Sequence, residues 1–599
     1  MCALRGVRGA LEPGDRSLRM PDKHVGVRHP LPGVVYPPAD RLRQYIESGA
    51  LGERSLVEAL IDAFDRHASS RAILTPEGDV TYAELQETTD RFAAALMRLG
   101  VEPLDRVLFQ VGNCREFVFA CLGCLKAGLI PVCTLAAHRE REIEYFGRLA
   151  EARIHIVQDD DPRFDLVGFA LRIQPAVPSL RHVISVRGRS REGVMRFEDL
   201  IGGETAKDAR RLIGEIQRDP YQAVIFQLSG GTTGLPKIIP RLQNEYLLNA
   251  QLTAQILHFQ PADVIFNPMP MIHNACMVSF WLPTLLAGAA FAIAQDMTPH
   301  GWGRVFAAKR PTFLGLIGAL IPRLDAMLEG GIASLDGVRA CWCPDAARLI
   351  RERYGIPPHA LFGMSEGMNL YTRAEDPAEA IDGTVGRPMS PFDEIRLVVP
   401  GTDRLAKVGE IGELRARGPY TTCGYYKAPD LNKEAFTRDG FYKTGDLLVS
   451  REIEGKLYYA FAGRIKDVID RAFEKINCEE VEQALLMQPS ISQCAVIGMP
   501  DPVLGERVCV YVVLRENCAA PTLGQLAGHM KTVGLAKFKW PERIEVIDSL
   551  PLTRVGKVDK AKLREDLRQR MTSDATRAGT VSAEAGAAPR PAMTGDDPG

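Results

Sequence analysis

The chain lacks an excess of charge of either sign. Its 599 residues include 73 Lys and Arg against 75 Asp and Glu, which gives a formal net charge of −2 at neutral pH. Proteins that bind nucleic acids or anionic membranes usually carry a clear basic excess or a basic patch. We therefore expect neither a nucleic acid nor a membrane among the partners of this protein.

The two cysteine pairs that a zinc site usually needs are also missing, although the sequence contains 13 cysteines. Neither Cys121-Leu-Gly-Cys124 nor Cys341-Trp-Cys343 is accompanied by a second pair at the spacing of a zinc site. An odd number of scattered cysteines is typical of reduced thiols that are mostly buried. The cysteine pattern therefore favours a cytoplasmic protein.

Long apolar segments are few. The first 30 residues are rich in arginine and lack the apolar core of a signal peptide. Residues 275–294 are uncharged, but they include Pro283, Gly288 and polar neighbours. This segment is therefore predicted to lie in a protein core and not in a bilayer.

The sequence does contain apolar runs that alternate with amphipathic helical patterns. Thr81 and Glu84 form a capping-box pattern that predicts the start of a helix. Residues 107–111 then predict a strand, 117–127 a helix and 129–132 another strand. Such alternation predicts an α/β fold with parallel sheets and helices on both faces.

The pattern changes from about Val408, where short alternating segments and Gly-rich turns predict antiparallel strands or a small β-barrel. A smaller α+β unit is predicted beyond it. The last residues are rich in Ala, Gly, Ser, Thr and Pro and contain almost no large apolar side chains. We therefore expect four parts: a flexible tail at 1–30, a large α/β domain at 31–465, a small α+β domain at 466–570 and a disordered tail at 571–599.

A Gly/Ser/Thr-rich loop after the predicted strand 223–226 is the first candidate functional site. Its backbone N–H groups, hydroxyls and lysine suit a polyphosphate, although such clusters also occur in plain surface turns. A P-loop is excluded because Lys237 follows Pro236, and Ile238 stands where Ser or Thr is needed. The predicted phosphate-binding residues are Ser229, Gly230, Gly231, Thr232, Thr233, Gly234 and Lys237.

This loop, Ser229-Gly-Gly-Thr-Thr-Gly-Leu-Pro-Lys237, resembles the phosphate loop of the adenylate-forming superfamily, which includes acyl- and aryl-coenzyme A ligases, nonribosomal adenylation domains and luciferases. Three further segments match the superfamily in the same order: Gly363-Met-Ser-Glu366-Gly, Tyr442-Lys-Thr-Gly-Asp446 and Leu550-Pro-Leu-Thr-Arg-Val-Gly-Lys557. The resemblance covers about residues 36–570. It is closest to the stand-alone aryl-acid AMP ligases of the dihydroxybenzoate and salicylate type.

The resemblance implies a two-step enzyme that uses ATP and Mg²⁺. An acid would attack the α-phosphate to give an acyl-adenylate and pyrophosphate, and a rotation of the small, mobile domain would then allow transfer to an acceptor. The implied roles are Mg²⁺ binding by Glu366, catalysis by Lys557 and a hinge at Lys466. Binding of adenine and ribose is implied for Ala346, Ala347, Gly363, Met364, Asp446 and Arg464.

The implied aryl-acid pocket comprises His273, Asn274, Ala275, Ser279, Asp345 and Asn369. In the family, the asparagine meets the ortho substituent of the ring. Ala275, Asp345 and Asn369 depart from the dihydroxybenzoate pattern and add room and polarity. Because an unpaired buried carboxylate is costly, Asp345 would favour an aromatic acid with a donor group, such as an aminohydroxybenzoate.

The predicted acceptor tunnel also departs from the family. Ala472 and Phe473 stand where the aryl-acid ligases have two glycines, so a phenyl ring occupies space that glycine would leave open. This favours a small amine or hydroxyl acceptor, with thioester formation on coenzyme A or a carrier protein as the alternative. An inactive nucleotide-binding relative and an ATP-dependent scaffold are the rival functions, and retention of Glu366, Asp446 and Lys557 speaks against both.

Overall fold

The computed structural model describes residues 25–229, 237–471, 474–553 and 557–585, without the side chains of 466, 470, 474, 475 and 574–585. The strands are β1 Arg71–Thr75, β2 Gly78–Thr81, β3 Arg106–Gln110, β4 Ile130–Val132, β5 Ile154–Gln158, β6 His182–Val186, β7 Met195–Arg196, β8 Ala223–Leu228, β9 Ile238–Leu242, β10 Val264–Phe266, β11 Ala290–Ala292, β12 Phe313–Gly315, β13 Ala340–Trp342, β14 Pro358–His359, β15 Leu361–Gly363, β16 Asn369–Tyr371, β17 Arg387–Pro388, β18 Glu394–Val398, β19 Ile411–Arg417, β20 Tyr442–Ile453, β21 Lys456–Arg464, β22 Val468–Arg471, β23 Glu474–Asn477, β24 Ile491–Asp501, β25 Gly505–Leu514 and β26 Arg543–Val546.

The helices are α1 Ala39–Glu47, α2 Leu56–Arg66, α3 Tyr82–Arg98, α4 Arg115–Lys126, α5 Glu140–Ala150, α6 Leu166–Ile173, α7 Phe197–Gly202, α8 Ala206–Glu215, α9 Gln243–Ile256, α10 Asn274–Cys276, α11 Leu282–Ala287, α12 Pro299–Lys309, α13 Ile321–Glu329, α14 Ala347–Tyr354, α15 Ala378–Gly383, α16 Pro429–Ala435, α17 Cys478–Leu486, α18 Leu523–Thr532 and α19 Lys560–Ala585. A π-helical turn, Met277–Trp281, joins α10 to α11. Short 3₁₀ turns occupy Gln174–Ala176, Gly318–Leu320, Ile465–Asp467 and Lys537–Lys539.

Two seven-stranded sheets build the large domain, in the orders β14-β13-β12-β10-β11-β1-β2 and β7-β6-β5-β3-β4-β8-β9. Both are parallel except for their antiparallel edge strands β2 and β9. Helices α2, α3, α4 and α9 pack between the sheets in one apolar core, and other helices cover the outer faces. The predicted α/β class with parallel sheets and helices on both faces is confirmed.

Local sequence signals explain the start of this architecture. The Thr81 hydroxyl accepts from the Glu84 N–H and the Glu84 carboxylate accepts from the Thr81 N–H, which is the capping box that the sequence predicts. Residues 275–294 also lie where predicted, because the π-helical turn and α11 are buried in the core. No helix in the described part of the chain combines the length and apolar character that crossing a bilayer requires.

The region after β14 contains two small antiparallel sheets, β15-β16-β17 and β18-β19-β20-β21. Leu370 of the first and Leu414 and Leu448 of the second belong to one shared core. The predicted small barrel therefore takes the form of two packed sheets whose hydrogen bonding does not form one continuous ring among the described strands.

The small domain follows the 3₁₀ turn Ile465–Asp467 and has a mixed sheet in the order β23-β22-β25-β24, with β26 beside β25. Helices α17 and α18 pack with one apolar cluster of this domain, and α19 packs with another. This is the α+β unit that the sequence predicts.

Both predicted tails have different boundaries in the structure. Val25 and Val27 pack against the cluster that contains Tyr45, and the Arg28 N–H donates to Asp219 Oδ2 (2.7 Å), so residues 25–30 belong to the large domain. Helix α19 continues to Ala585, because a helix can form without the large apolar side chains on which the tail prediction relied. Residues 1–24 and 586–599 of the predicted tails lie outside the described residues.

The buried His155, on the interior strand β5, is expected to make the stability of the protein sensitive to acid. Neither ring nitrogen has a hydrogen-bond partner among the described residues, and burial lowers the pKa of His155 to about 3. Because the folded pKa lies below the unfolded value of about 6.5, the unfolded chain binds the extra proton, and stability is lost as the pH falls below 6.5. His155→Phe should therefore lose less stability between pH 7.5 and pH 5 than the wild type, by roughly 2 kcal/mol.

Urea unfolding at the two pH values measures this difference. His300→Phe is the matched control, because His300 is exposed on α12. An equal acid-induced loss of stability in His155→Phe and the wild type would show that His155 does not cause it.

Candidate active site

The ends of the predicted phosphate loop are held together by hydrogen bonds. The Ser229 N–H donates to the Lys237 carbonyl oxygen (2.9 Å), and the Lys237 N–H donates to Ser229 Oγ (3.0 Å). Antiparallel β8 and β9 lead into and out of this neck, with Leu228 paired to Ile238. The predicted Gly230, Gly231, Thr232, Thr233 and Gly234 lie outside the described residues.

Glu366 is buried beside two tyrosines. Its Oε1 accepts hydrogen bonds from the hydroxyls of Tyr425 (2.7 Å) and Tyr442 (3.1 Å). Burial and the Glu366 charge raise the pKa of both phenols, so both remain protonated donors at neutral pH. Lys237 Nζ lies 5.1 Å from the centre of the Tyr425 ring, which places the phosphate-loop lysine beside this carboxylate.

The backbone around Glu366 is fixed from two sides. The buried Arg241 guanidinium donates to the carbonyl oxygens of Ser365 (2.9 Å) and Tyr420 (3.0 Å) and forms a two-bond ion pair with Glu245. Gly367 adopts a φ of +129°, and a Cβ there would lie 2.0 Å from the Tyr420 oxygen. The glycine after Glu366 is therefore required by the close approach of the two chain segments.

The single carboxylate of Glu366 fits a Mg²⁺ ion that is shared with a nucleotide. The described residues contain no group of three or more His, Cys, Asp or Glu side chains able to hold a metal ion. Glu366 Oε2 accepts no hydrogen bond from the described residues, while Oε1 is held by the two phenols. Mg²⁺ is commonly bound by one or two carboxylates together with phosphate oxygens and water. Glu366 Oε2 could supply the protein ligand of such an ion.

Asp446 and Arg464 face each other across the antiparallel pair β20 and β21. Arg464 Nε lies 2.8 Å from Asp446 Oδ1, and the Asp446 N–H donates to the Thr444 hydroxyl (3.0 Å). Burial raises the pKa of the Asp446 carboxyl, while Arg464 and Lys557 oppose this shift. The pair that the resemblance assigns to ribose is therefore preformed.

Lys557 belongs to the small domain, and its charge interacts with the charges of these groups. Its backbone closes a short loop, in which the Lys557 N–H donates to the Thr553 hydroxyl (3.1 Å) and its carbonyl oxygen accepts from the Thr553 N–H (2.6 Å). The surrounding protein lowers the pKa of the Lys557 ammonium and Arg464 lowers it further, while the charges of Asp446, Asp345 and Glu366 raise it. Lys557 thus lies within electrostatic range of the residues that the sequence assigns to metal and ribose.

The residues predicted for adenine follow the ends of two strands. Ala346 and Ala347 begin α14 after β13, and Gly363 ends β15 with Met364 next in the chain. A Cβ at Gly363 would lie 2.4 Å from the Asn369 side-chain oxygen. Gly363 therefore lets the predicted adenine rim and the predicted acid pocket meet closely.

The predicted acid-pocket residues are held by a polar network that includes two further tyrosines. Tyr246 OH donates to Asn274 Oδ1 (2.8 Å), which orients the asparagine amide. Ser279 lies in the π-helical turn, and its hydroxyl is 3.0 Å from Tyr371 OH. Asn369 Nδ2 donates to Asn249 Oδ1 (3.1 Å). Ser279 and Asn369 are thus already hydrogen-bonded within the protein.

His273 and Ala275 lie at the start of the short helix α10. His273 Nδ1 accepts from the Ala275 N–H (3.3 Å), which caps the helix. Burial lowers the pKa of His273 to about 4, and the charge of Lys557 lowers it further. His273 is therefore neutral at physiological pH and lies within electrostatic range of Lys557.

Asp345 already has a hydrogen-bond partner in the protein, whereas its predicted role depended on a donor from the ligand. Its Oδ1 accepts from the Gly318 N–H (2.8 Å), and the side chain is exposed toward the cleft. The surrounding protein raises the pKa of the Asp345 carboxyl, while the Gly318 N–H and Lys557 lower it. One Asp345 oxygen is therefore already paired within the protein, which weakens the reason to require an amino group on the acid, and the preference for an aminohydroxybenzoate stays a prediction.

The structure describes the backbone of the predicted hinge residue but neither of the two predicted tunnel residues. Lys466 lies on the 3₁₀ turn between β21 and β22, and its side chain is outside the described residues. Ala472 and Phe473 also lie outside them. The hinge role and the narrowed tunnel stay predictions.

Sequence reasoning missed the tyrosines that position the site. Tyr425 and Tyr442 hold Glu366, whereas Tyr246 and Tyr371 hold the two acid-pocket residues Asn274 and Ser279. Tyr442 occurs within a segment that carries the resemblance, but the sequence does not reveal its hydrogen bond to Glu366. The contacts of Tyr246 and Tyr425 depend on long-range packing.

Comparisons with known proteins agree with this geometry. The AMP-binding enzyme family matches residues 61–426, and the AMP-binding enzyme C-terminal domain matches residues 480–557. The chain is 37% identical over 555 residues to pyochelin synthase PchD of Pseudomonas aeruginosa, covering 90% of this chain and 97% of the relative. It is 34% identical over 550 residues to the 2,3-dihydroxybenzoate-AMP ligase of Bacillus subtilis, covering 90% and 99%.

Comparison with solved structures also finds a similar protein. The apo structure of MbtA from Mycobacterium smegmatis superposes with a TM-score of 0.67 at 32% identity, covering 89% of this chain and 98% of that one. The family matches, the relatives and the preformed site lead to one conclusion. The chain belongs to the family of AMP-binding enzymes, and within it to the adenylate-forming acid-AMP ligases.

Proposed function

We propose that the protein uses MgATP to convert an aromatic carboxylic acid into an aryl-adenylate, with release of pyrophosphate. The observation that carries this proposal is the Asp446–Arg464 ion pair together with the electrostatic interaction of Lys557 with Asp446 and Glu366. These groups supply a cation for the reacting carboxylate and phosphate, a metal ligand and a ribose acceptor. The names of the relatives from Pseudomonas and Bacillus support a siderophore-type aryl acid as substrate.

In the proposed reaction the acid carboxylate attacks the α-phosphorus of ATP, a P–O bond to pyrophosphate breaks, and a mixed anhydride forms. The Lys557 ammonium bridges the two reacting anions and offsets the charge that builds up in the transition state. Asp446 holds the ribose in place, and neutral His273 adds no charge to the acid pocket. Mg²⁺ bound at Glu366 would neutralise charge on the phosphates.

Mass-spectrometric detection of the aryl-adenylate tests this proposal directly. The enzyme is incubated with MgATP and one of several benzoates, and inorganic pyrophosphatase is added to draw the reaction forward. We expect an aryl-adenylate with at least one hydroxybenzoate and none with an α-amino acid. A product with an α-amino acid alone would contradict the assignment of the acid pocket.

Asn274 is the residue that we expect to select the acid. Tyr246 fixes the Asn274 Oδ1, which leaves the amide N–H groups to meet an ortho substituent. Asn274→Ala should therefore lower kcat/KM for salicylate by about tenfold, the effect of one hydrogen bond, while kcat/KM for benzoate changes less. Asn249→Ala is a control, because it removes a buried amide that bonds Asn369 and not Asn274. A panel of salicylate, 2,3-dihydroxybenzoate, aminohydroxybenzoate and benzoate measures the ratio, and an equal loss for salicylate and benzoate would contradict the role of Asn274.

We propose two candidate acceptors for the second step. Relatives named as a salicyl-S-ArCP synthetase and as a naphthoate–CoA ligase support a thioester on a carrier protein or coenzyme A. The sequence departure at Ala472 and Phe473 supports a small amine or hydroxyl, because a phenyl ring would obstruct a pantetheine arm.

Phe473→Gly separates the two candidates. If the phenyl ring closes the tunnel, thioester formation on coenzyme A or a carrier protein should be slow in the wild type and at least tenfold faster in Phe473→Gly, because the side chain is removed from the path. Adenylate formation should be equal in both proteins and serves as the internal control. Rapid thioester formation by the wild type, with no gain in the variant, would identify a thiol acceptor and overturn the role of Phe473.

A further inference from the structure

A second cavity lies apart from the proposed nucleotide site. Its volume is about 210 Å³, and it lies between the N-terminal residues 25–51, the segment 240–245 and the segment Arg417–Cys423. None of the described residues of the proposed nucleotide site lines it. Apolar cavities of about 150 Å³ hold a benzene molecule, so this one has room for a substituted ring.

The cavity wall combines apolar side chains with tyrosines. Val25, Val27, Leu42 and Leu51 provide aliphatic surface, and Tyr36, Tyr45 and Tyr221 provide rings. Aromatic side chains pair favourably with a bound ring in offset or edge-to-face contacts. The wall therefore suits a flat aromatic ligand.

Two buried hydroxyls at this wall have no partner. Tyr45 OH and Thr421 Oγ1 are inaccessible and make no hydrogen bond with the described residues. Buried polar groups in folded proteins are nearly always hydrogen-bonded, since leaving one unsatisfied is costly. Burial raises the pKa of Tyr45 to about 12, so its phenol is a hydrogen-bond donor at neutral pH.

The charges that line the cavity leave a positive balance. Glu245 is paired through both oxygens with Arg241, and Arg417 is paired through two nitrogens with Glu394. The Arg41 guanidinium donates to the Asp439 carbonyl oxygen (2.9 Å), and no carboxylate among the described residues forms an ion pair with it. Arg41 also borders an outer groove, which Asp40, Glu394 and Arg417 line as well, so it lies at the mouth of the cavity. Glu394 is paired with Arg417 there, whereas neither Asp40 nor Glu394 forms an ion pair with Arg41. An anionic group would be stabilised there.

We propose that this cavity is a second binding site for a small aromatic carboxylate. The ring lies among Val27, Leu42 and the tyrosines, and the carboxylate lies at the mouth, where it accepts hydrogen bonds from Arg41. The ligand is of the same chemical class as the proposed substrate, but the site stands on its own wall residues. Its existence does not depend on the reaction in the main cleft.

Calorimetric titration with benzoate, in the absence of ATP, tests the proposal on the full-length protein. Ala39 lines the cavity and is exposed, so Ala39→Trp should fill the mouth without disturbing the core. We expect this variant to bind one benzoate fewer per chain than the wild type. Ala83→Trp is the matched control, because Ala83 is exposed on α3 and remote in sequence from the cavity wall, and it should keep the wild-type stoichiometry.

Two further arms test the chemistry of the site. Arg41→Gln keeps most of the cavity volume and should weaken benzoate binding there on the order of tenfold, and benzamide should bind the wild-type cavity more weakly than benzoate by a similar factor. A crystal structure of the wild type with benzoate should place the ring against Tyr45. If the main cleft does not bind benzoate, the expected stoichiometry is one for the wild type and zero for Ala39→Trp, so failure of the proposed function is distinguishable.

Equal stoichiometry in the wild type and Ala39→Trp would overturn the proposal. So would a crystal structure in which the chain's own residues fill the cavity in the presence of benzoate. Equal affinity for benzoate and benzamide at the cavity would overturn the assignment of a carboxylate ligand.

Discussion

Replacement of Lys557 by alanine is expected to reduce adenylate formation by about 10²–10³-fold, the usual effect of removing one preorganised donor to a developing charge. The ATP dissociation constant should change much less, because the ammonium acts mainly on charge that appears in the transition state. The surroundings of Lys557 support this difference between rate and binding, because the charges of Asp446, Asp345 and Glu366 all stabilise the ammonium. ATP–pyrophosphate exchange measures the rate, and equilibrium dialysis with ATP measures binding.

Lys562→Ala is the matched control for this experiment. Lys562 is an exposed lysine near the start of α19 in the same small domain, so its loss removes the same charge outside the cleft. Exchange by Lys562→Ala should equal that of the wild type. Exchange by Lys557→Ala within a factor of two of the wild type would exclude Lys557 as the catalytic cation.

Glu366→Gln is expected to have the second-largest effect, a loss of exchange on the order of 10²-fold together with a higher Mg²⁺ requirement. Glutamine keeps the volume of the side chain and an oxygen for the hydroxyls of Tyr425 and Tyr442. It removes the negative charge that the Mg²⁺–phosphate complex needs. A Mg²⁺ titration of the exchange rate at fixed ATP separates metal binding from the loss of rate.

Tyr442→Phe is the control for the packing around Glu366. It removes one hydrogen-bond donor but leaves the carboxylate and its Tyr425 partner in place, so its exchange rate should fall by no more than about tenfold. If Glu366→Gln has the Mg²⁺ dependence of the wild type, Glu366 is a structural carboxylate and not a metal ligand.

Local signals in the sequence predicted much of the fold. The capping box at Thr81 and Glu84 and the short apolar strands involve residues close together in the chain, so their pattern carries the information. The tails were harder to place. Val25 and Val27 pack against the apolar cluster that contains Tyr45, and sequence composition does not reveal this contact.

The candidate site was predictable where the chain carries contiguous motifs. Glu366, Asp446 and Lys557 lie in such segments, and in the structure their charges interact. The supporting contacts were not predictable, because Tyr246 reaches Asn274 and Tyr425 reaches Glu366 only through tertiary packing. Asp345 illustrates the opposite case. The sequence suggested that its carboxylate would need a donor from the ligand, and it did not reveal the Gly318 N–H, 27 positions away in the chain, that donates to Oδ1.

The central claim is that this chain activates an aromatic acid as an adenylate, and ATP–pyrophosphate exchange tests it most directly. With radiolabelled pyrophosphate, MgATP and a panel of substituted benzoates, exchange should require the acid and Mg²⁺ and should be largest for an ortho-hydroxylated benzoate. Nucleotide binding without exchange for any acid in the panel would contradict the account and would identify the chain as an inactive relative.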